Sequence, residues 1–338
     1  MPLPLSTAPG DTPLRRWARR AVTVPGFLLV FAVAATLYPL LLPAAALVDA
    51  LRRSRLSRSR ALTVIVAYLA FEAIGLLSLF WLALSGALRG ERERVFRFQW
   101  WWAATLLRIL CRVYSMRLEV EGLEAAVPGP VLLFANHVSS ADVLLPSGLV
   151  SRRTGLKLRY GGKLELIWDP CVDLAGHWLP NVFLRRGSAD TPGDVGRVQT
   201  LLQDLGPDAG VFLMPEGTRF TAERRAHLVA GPEDGAAAEI ALAARRFRHL
   251  LPPRVGGVLA LFEANPGADV VFLAHTGFEG ARTLGDFWSG ALVGRTLRVL
   301  LWRRPWSSVP ADRAGRVEWL HREWERLDAW LGERRAAA

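Results

Sequence analysis

The sequence is poor in cysteine, lysine, methionine and tyrosine. Two cysteines, Cys111 and Cys171, in 338 residues exclude a disulfide framework. Neither cysteine stands in the paired spacing of a structural zinc site, so no metal is expected. Lysine occurs only at Lys157 and Lys163, so nearly all of the 42 basic side chains are arginine. No internal repeat is present, which sets aside solenoids and propellers. Apolar residues are not scarce: they make up 51% of the chain against 22% charged, which excludes intrinsic disorder. A mean hydropathy of +0.21 is higher than a purely soluble protein normally shows.

The net charge of +11 suggests an anionic partner, and its location narrows the choice. The first 98 residues carry +8, concentrated in Arg15–Arg20 and in Leu51–Arg60, and these stretches flank hydrophobic runs. That is a juxtamembrane pattern rather than a nucleic-acid-binding face, so no nucleic-acid partner is expected.

Residues 21–48 and 61–88 are two runs of 28 residues; the first has no charge and the second only Glu72. A helix rises about 1.5 Å per residue, so either run can cross a hydrocarbon core of about 30 Å. Pro25, Pro39 and Pro43 predict a kink or break in the second half of the first run. Basic residues before, between and after the runs conflict with two full crossings under the positive-inside rule, so one run is expected to be re-entrant or interfacial. Glu72 reads as a neutral carboxyl at a helix contact, the alternative being a functional intramembrane acid. Trp100, Trp101 and Trp102, beside arginines, fit the headgroup layer; the alternative is a buried aromatic cluster.

Four regions follow. Residues 1–20 read as a basic tail and 21–115 as a membrane-anchoring region. Residues 116–310 read as a catalytic domain and 311–338 as a C-terminal amphipathic helix. Pro2–Pro13 and the terminal alanines read as unstructured. In the third region, strands are predicted at 131–135, 156–160, 182–184, 211–214 and 270–274, with helices at 195–205 and 236–247. The alternation implies an α/β fold, a mixed β-sheet flanked by helices. Val317, Leu320, Trp324, Leu327 and Leu331 form one helix face, which would dock on the domain or on a membrane.

The chemistry gathers at strand ends. Asn136-His137-Val138-Ser139-Ser140-Ala141-Asp142 follows the first strand of this region. A histidine with an aspartate five residues on makes a base and its orienter. In one straight helix the two would stand about 140° apart. His137 must therefore precede the helix and Asp142 lie in its first turns, with Ser139 or Ser140 as N-cap. A second strand runs into Pro215-Glu216-Gly217-Thr218-Arg219-Phe220, where Gly217 admits close backbone approach, Thr218 a hydroxyl and Arg219 a bidentate anion clamp. A third ends in Arg185-Arg186-Gly187. Each alone reads as a solvated strand end, but ligands of open α/β sheets bind where such ends meet.

Together these segments resemble the glycerolipid acyltransferases, the 1-acylglycerol-3-phosphate acyltransferase superfamily, over about residues 117–280. NHVSSAD is similar to the family's His-x4-Asp motif, PEGTRF to its Glu-Gly-Thr-Arg motif and NVFLRRG to its Phe-x-x-Arg motif, with Arg186 at the arginine position. The stretch His249-Leu-Leu-Pro-Pro253-Arg254 resembles the branch that includes lysocardiolipin acyltransferases. Arg185, where many members carry Asp, and Glu223-Arg224, where that branch often has Lys, depart from the pattern and bear on acceptor preference.

The resemblance implies acyl transfer from a thioester, on coenzyme A or acyl carrier protein, to a lysophospholipid hydroxyl, that of 1-acylglycerol-3-phosphate first among them. His137 is then the general base and Asp142 its orienter, with no acyl-enzyme and no cofactor beyond the thioester co-substrate. Arg186, Glu216, Gly217, Thr218 and Arg219 would form the acceptor-phosphate site, with Lys163 and Arg254 as accessory cations. A remodelling enzyme for lysocardiolipin or lysophosphatidylglycerol is the alternative, and an inactive membrane scaffold a distant third. The expected partners are the lysophospholipid, the thioester and a lipid bilayer. The arginine bias suits a GC-rich bacterium, whose inner membrane would hold the protein with its catalytic domain facing the cytoplasm.

Overall fold

The computed structural model describes residues 8–85, 92–185, 192–232 and 235–336. The chain opens with α1 (Pro13–Leu51), α2 (Ser57–Leu84) and α3 (Arg92–Val113). Strands β1 (Arg117–Glu121) and β2 (Val131–Ala135) precede the short α4 (Arg152–Thr154). Then come β3 (Lys157–Lys163), α5 (Pro170–Trp178), β4 (Val182–Leu184), α6 (Pro192–Thr200) and β5 (Ala209–Leu213). Helices α7 (Ala222–Val229), α8 (Ala236–Arg246) and α9 (Val255–Glu263) lead to β6 (Asp269–Thr276), β7 (Thr296–Arg304) and α10 (Arg313–Ala336).

The seven strands form one mixed sheet in the order β1-β7-β6-β2-β5-β3-β4. Among the described residues only the β6–β7 pairing is antiparallel. Strands β6, β2, β5, β3 and β4 therefore bring their C-terminal ends to one edge. Every residue of β2 is buried, as a continuous apolar run at the centre of a parallel sheet requires. Alternate side chains serve opposite faces: Leu133 joins Leu107, Leu110, Leu145 and Leu149 on one side. Leu132 and Phe134 join Val258, Phe262, Trp319 and Trp324 on the other. The apolar face of α10 thus docks on the domain, and the Trp324 indole N–H donates to the Leu251 carbonyl at 3.1 Å.

Helices α1 and α2 have mean hydropathies of 2.2 and 2.1 over their most apolar windows and are long enough to cross a membrane. The expected break in the first run does not occur, since α1 continues through Pro25, Pro39 and Pro43. All three prolines are exposed, so their rings point away from packed neighbours. The expected tail at 1–20 also differs, because Arg15–Arg20 lie in the first turns of α1, capped by the Thr12 hydroxyl. Arg19 and Arg20 pair with Asp173 of α5, each at 2.8 Å, which ties the start of α1 to the domain. At the other end Asp49 accepts hydrogen bonds from the Ser54 hydroxyl at 2.6 Å and from the Ser59 N–H and hydroxyl at 2.9 Å, closing the α1–α2 hairpin.

The tryptophan triplet packs inward. Trp100 is buried with Leu79, Phe96, Cys171 and Leu179, and Trp101 and Trp102 pack against the same cluster of α2, α3 and α5. Trp100 fits the aromatic-cluster alternative, while Trp101 and Trp102 are half-buried at its edge. Glu72 is likewise buried at a helix contact, accepting from the Cys171 N–H at 3.3 Å.

Candidate active site

His137 leaves the end of β2 in an irregular segment, and Ser139 caps the 3-10 turn Ser140–Val143 that carries Asp142. Asp142 is the third residue of that turn, and its carboxylate reaches back in a capping box. One oxygen, Oδ2, accepts from the Val138 and Ser139 N–H groups at 2.6 and 2.8 Å and lies 3.0 Å from His137 Nδ1. The same contacts that start the turn therefore fix the imidazole through Nδ1. Burial pushes the His137 pKa below its usual value, against the raising effect of Asp142; the charges of Lys163 and His275 push it further down. A neutral imidazole near pH 7 is the form that takes a proton.

Two backbone contacts lock His137 to the turn after β5. Its N–H donates to Glu216 Oε1 at 2.8 Å, and its carbonyl accepts from the Phe220 N–H at 2.7 Å. The other Glu216 oxygen accepts from the Leu251 N–H at 2.9 Å. Burial pushes the Glu216 carboxyl up to about 8. Glu216 thus stands behind the cavity as a brace, not in it as the phosphate-site reading placed it. Each of its oxygens is engaged by a backbone N–H, and it is not among the residues that line the cavity.

A cavity of about 330 Å³ opens in front of His137. Lys163, Arg185, Arg219 and Arg254 line it, with Glu165 the acid among the lining residues. Much of its remaining wall is apolar, with Leu166, Leu184, Phe212, Leu213 and Met214 beside the ring of Tyr160. Gly217 adopts a left-handed φ of +65°, and a Cβ there would meet Arg254 Cδ at 2.9 Å. Arg254 lies across the glycine, its own N–H bound to the Pro215 carbonyl at 2.8 Å. Arg219 donates to the Ser140 hydroxyl at 2.7 Å and to the Arg282 carbonyl, which holds it at the rim. Thr218 is half-buried beside the cavity and is not among its lining residues.

Residues 117–256 match the Acyltransferase family model. The match takes in both polar turns and the strands that carry them, and covers less than half of the chain. The fold is similar to the crystal structure of the 1-acyl-sn-glycerophosphate (LPA) acyltransferase PlsC from Thermotoga maritima. Identity is 12% and the TM-score 0.47, over 77% of this chain and 97% of that one. No curated protein matches the sequence.

The matched segment thus brings His137, Asp142, Gly217, Arg219, Lys163 and Arg254 together at one sheet edge. Arg186 lies outside the described residues. Its neighbour Arg185, read in the sequence as part of the same strand end and as a departure from the family pattern, lines the cavity. His275 was also missed. It is fully buried at the end of β6, its Nε2 is 3.0 Å from the Asn136 carbonyl oxygen and 3.7 Å from Asp142 Oδ2. The Asn136 side chain in turn pairs with both backbone groups of His275, at 2.9 and 3.0 Å. The signal for it is register: Ala135 pairs with Leu273, so His275 falls opposite His137. Neither cysteine is poised as a nucleophile, since burial pushes the Cys111 thiol up to about 11 and raises that of Cys171 further.

Proposed function

We propose that this protein is a membrane-associated acyltransferase that moves a fatty acyl group from a thioester to the hydroxyl of a lysophospholipid, 1-acyl-sn-glycerol-3-phosphate first among them. The observation that carries the reading is the His137–Asp142 pair, with His137 lining a cavity edged by four cations and walled on one side by apolar side chains. The cations suit the acceptor phosphate and the apolar wall suits alkyl chain. His137 Nε2 takes the hydroxyl proton while the oxygen attacks the thioester carbon. The tetrahedral intermediate collapses with cleavage of the C–S bond, and the imidazolium returns its proton to the leaving thiolate. Asp142 stabilises the imidazolium and holds the ring. Anchoring the phosphate fixes the hydroxyl beside His137 and removes much of the entropic part of the barrier.

The two apolar helices support association with a lipid bilayer, in which acceptor and product reside. We place the protein at a bacterial inner membrane, with the site facing the cytoplasm, where thioester donors are made. The test is purified protein with radiolabelled acyl-CoA and separate pools of lysophosphatidate, lysocardiolipin and lysophosphatidylglycerol. Label in phosphatidate supports the biosynthetic reading, and label in cardiolipin or phosphatidylglycerol moves the enzyme to remodelling. Absence of transfer from acyl-CoA and from acyl carrier protein refutes the proposal.

A further inference from the structure

A second cavity, of about 550 Å³, lies along the two turns that carry His137 and Arg219. Val138 and Phe220, the neighbours of His137 and Arg219, line it, so one thin wall separates the two cavities. Its other lining is strongly basic: Arg282, Arg295, Arg298, Arg334 and Arg335, with Glu279 the acid among them. Arg335 pairs with Glu279 at 3.2 Å, Arg298 with Glu119 at 2.8 Å and Arg334 with Glu121 at 4.0 Å. Among the described residues neither Arg282 nor Arg295 has a carboxylate at salt-bridge distance, so positive charge is in excess. The arginines come from four separate places: the loop after β6, the loop before β7, β7 itself and the last turn of α10. No residue of α1 or α2 lines the cavity, and its only large apolar side chains are Val138 and Phe220.

We propose that this cavity binds the nucleotide end of coenzyme A, the 3′-phosphate and diphosphate of the acyl donor. The inference rests on the acyl-transfer reading and names the donor that reading left open. Guanidinium forks match phosphate oxygens bidentately, and converging arginines suit a ligand carrying several phosphates. The absence of apolar helix from the lining favours a water-soluble polyanion over a second lipid headgroup. The two cavities meet at Arg219, Ser140 and Arg282: the first donates to the hydroxyl of the second and the carbonyl of the third. The pantetheine arm would cross this rim to bring its thioester to His137, while the acceptor phosphate occupies the other cavity.

The test is the Arg282→Gln/Arg295→Gln double variant of the full chain, with two readouts. The first is equilibrium binding of coenzyme A without acceptor; the second is steady-state transfer with acyl-CoA. Loss of two charge-assisted contacts is expected to weaken coenzyme A binding and raise the acyl-CoA KM by about tenfold or more, with kcat and the acceptor KM unchanged. Dephospho-coenzyme A should bind wild type more weakly than coenzyme A and distinguish the variant less. Unchanged binding and unchanged acyl-CoA KM would overturn the inference while leaving acyl transfer intact. A raised acceptor KM would assign the arginines to a lipid phosphate and also overturn it, as would transfer from acyl carrier protein with no coenzyme A binding. Weakened coenzyme A binding in a protein that acylates none of the lysophospholipids would support the site and sink the function instead.

Discussion

Replacing Glu216 by glutamine separates a brace from a phosphate ligand. The carboxylate is buried, with one oxygen on the His137 N–H at 2.8 Å and the other on the Leu251 N–H at 2.9 Å. Glutamine keeps the length and one acceptor oxygen but turns an amide NH2 towards one of those donors. One buried N–H then loses its partner, which costs about 1–3 kcal/mol. At roughly 2–4 °C per kcal/mol for a large domain, Tm falls by about 2–12 °C. The His137 backbone shifts with it, and a displacement of about 1 Å lowers kcat on the order of 100-fold. The acceptor KM should stay within about twofold, because Glu216 does not line the cavity. Burial raises the carboxyl from 4.5 to about 8, with Asp142 and Asp328 adding to the shift against the two N–H donors. The folded state therefore holds this proton to higher pH than the unfolded chain does. The group's contribution to stability falls as pH rises from 4.5 to about 8 and is level above that. The glutamine variant lacks this titration, so its stability gap to wild type should narrow across the same window. Thermal denaturation in detergent at several pH values, with transfer kinetics alongside, measures all of these. An unchanged Tm together with a many-fold rise in acceptor KM would show that Glu216 touches the phosphate and that the brace argument is wrong.

Asp142→Asn removes the anion beside His137 Nδ1 and puts an NH2 where two N–H groups and the ring seek an acceptor. We expect kcat to fall by about 10²–10⁴-fold with acceptor binding retained; a loss under about threefold would contradict the orienter role. Lys163→Met removes a charge that helps hold the His137 pKa down, so the acidic limb of the kcat/KM–pH profile should move to higher pH. A limb that stays put or moves lower refutes the electrostatic link. Gly217→Ala forces a Cβ into a left-handed φ of +65° and against Arg254. It should cost at least about 1 kcal/mol in urea unfolding and raise the acceptor KM by displacing Arg254; a neutral substitution would show that the close approach is unimportant.

The central strands were legible because β2, β5 and β6 are short apolar runs bounded by turn residues, and a buried parallel strand leaves that trace. Strands β1 and β7 were not. β1 alternates exposed and half-buried side chains at the sheet edge, and its Arg-Leu-Glu-Val-Glu pattern suits a surface helix as well. The His137-to-Asp142 geometry followed from the sequence, because only a turn starting between them lets the two meet. The 3-10 turn capped by Ser139 meets that demand. α1 runs on through its three prolines, because a proline removes one backbone N–H and crowds the carbonyl four residues back, which can bend a helix without ending it when the flanking turns stay bonded. Trp100 misled because an amphipathic residue beside arginine fits a headgroup layer and a helix seam equally well. Packing between α2, α3 and α5 decides between them, and sequence spacing does not carry it. The role of Glu216 was hidden for a similar reason. A motif places a carboxyl near a phosphate site, but its partners, the N–H groups of His137 and Leu251, are separated from it by 79 and 35 residues.

The most direct test of the account is transfer of labelled acyl group from acyl-CoA to lysophosphatidate by wild type and by His137→Gln, with lysophosphatidate binding and thermal stability measured on both. Glutamine preserves much of the side-chain volume but cannot take the hydroxyl proton. Turnover lost by about 10³-fold or more, with binding and Tm retained, is the predicted result. Comparable turnover in the two proteins would contradict the assignment of His137 as the base, and with it the mechanism built on the edge of this sheet.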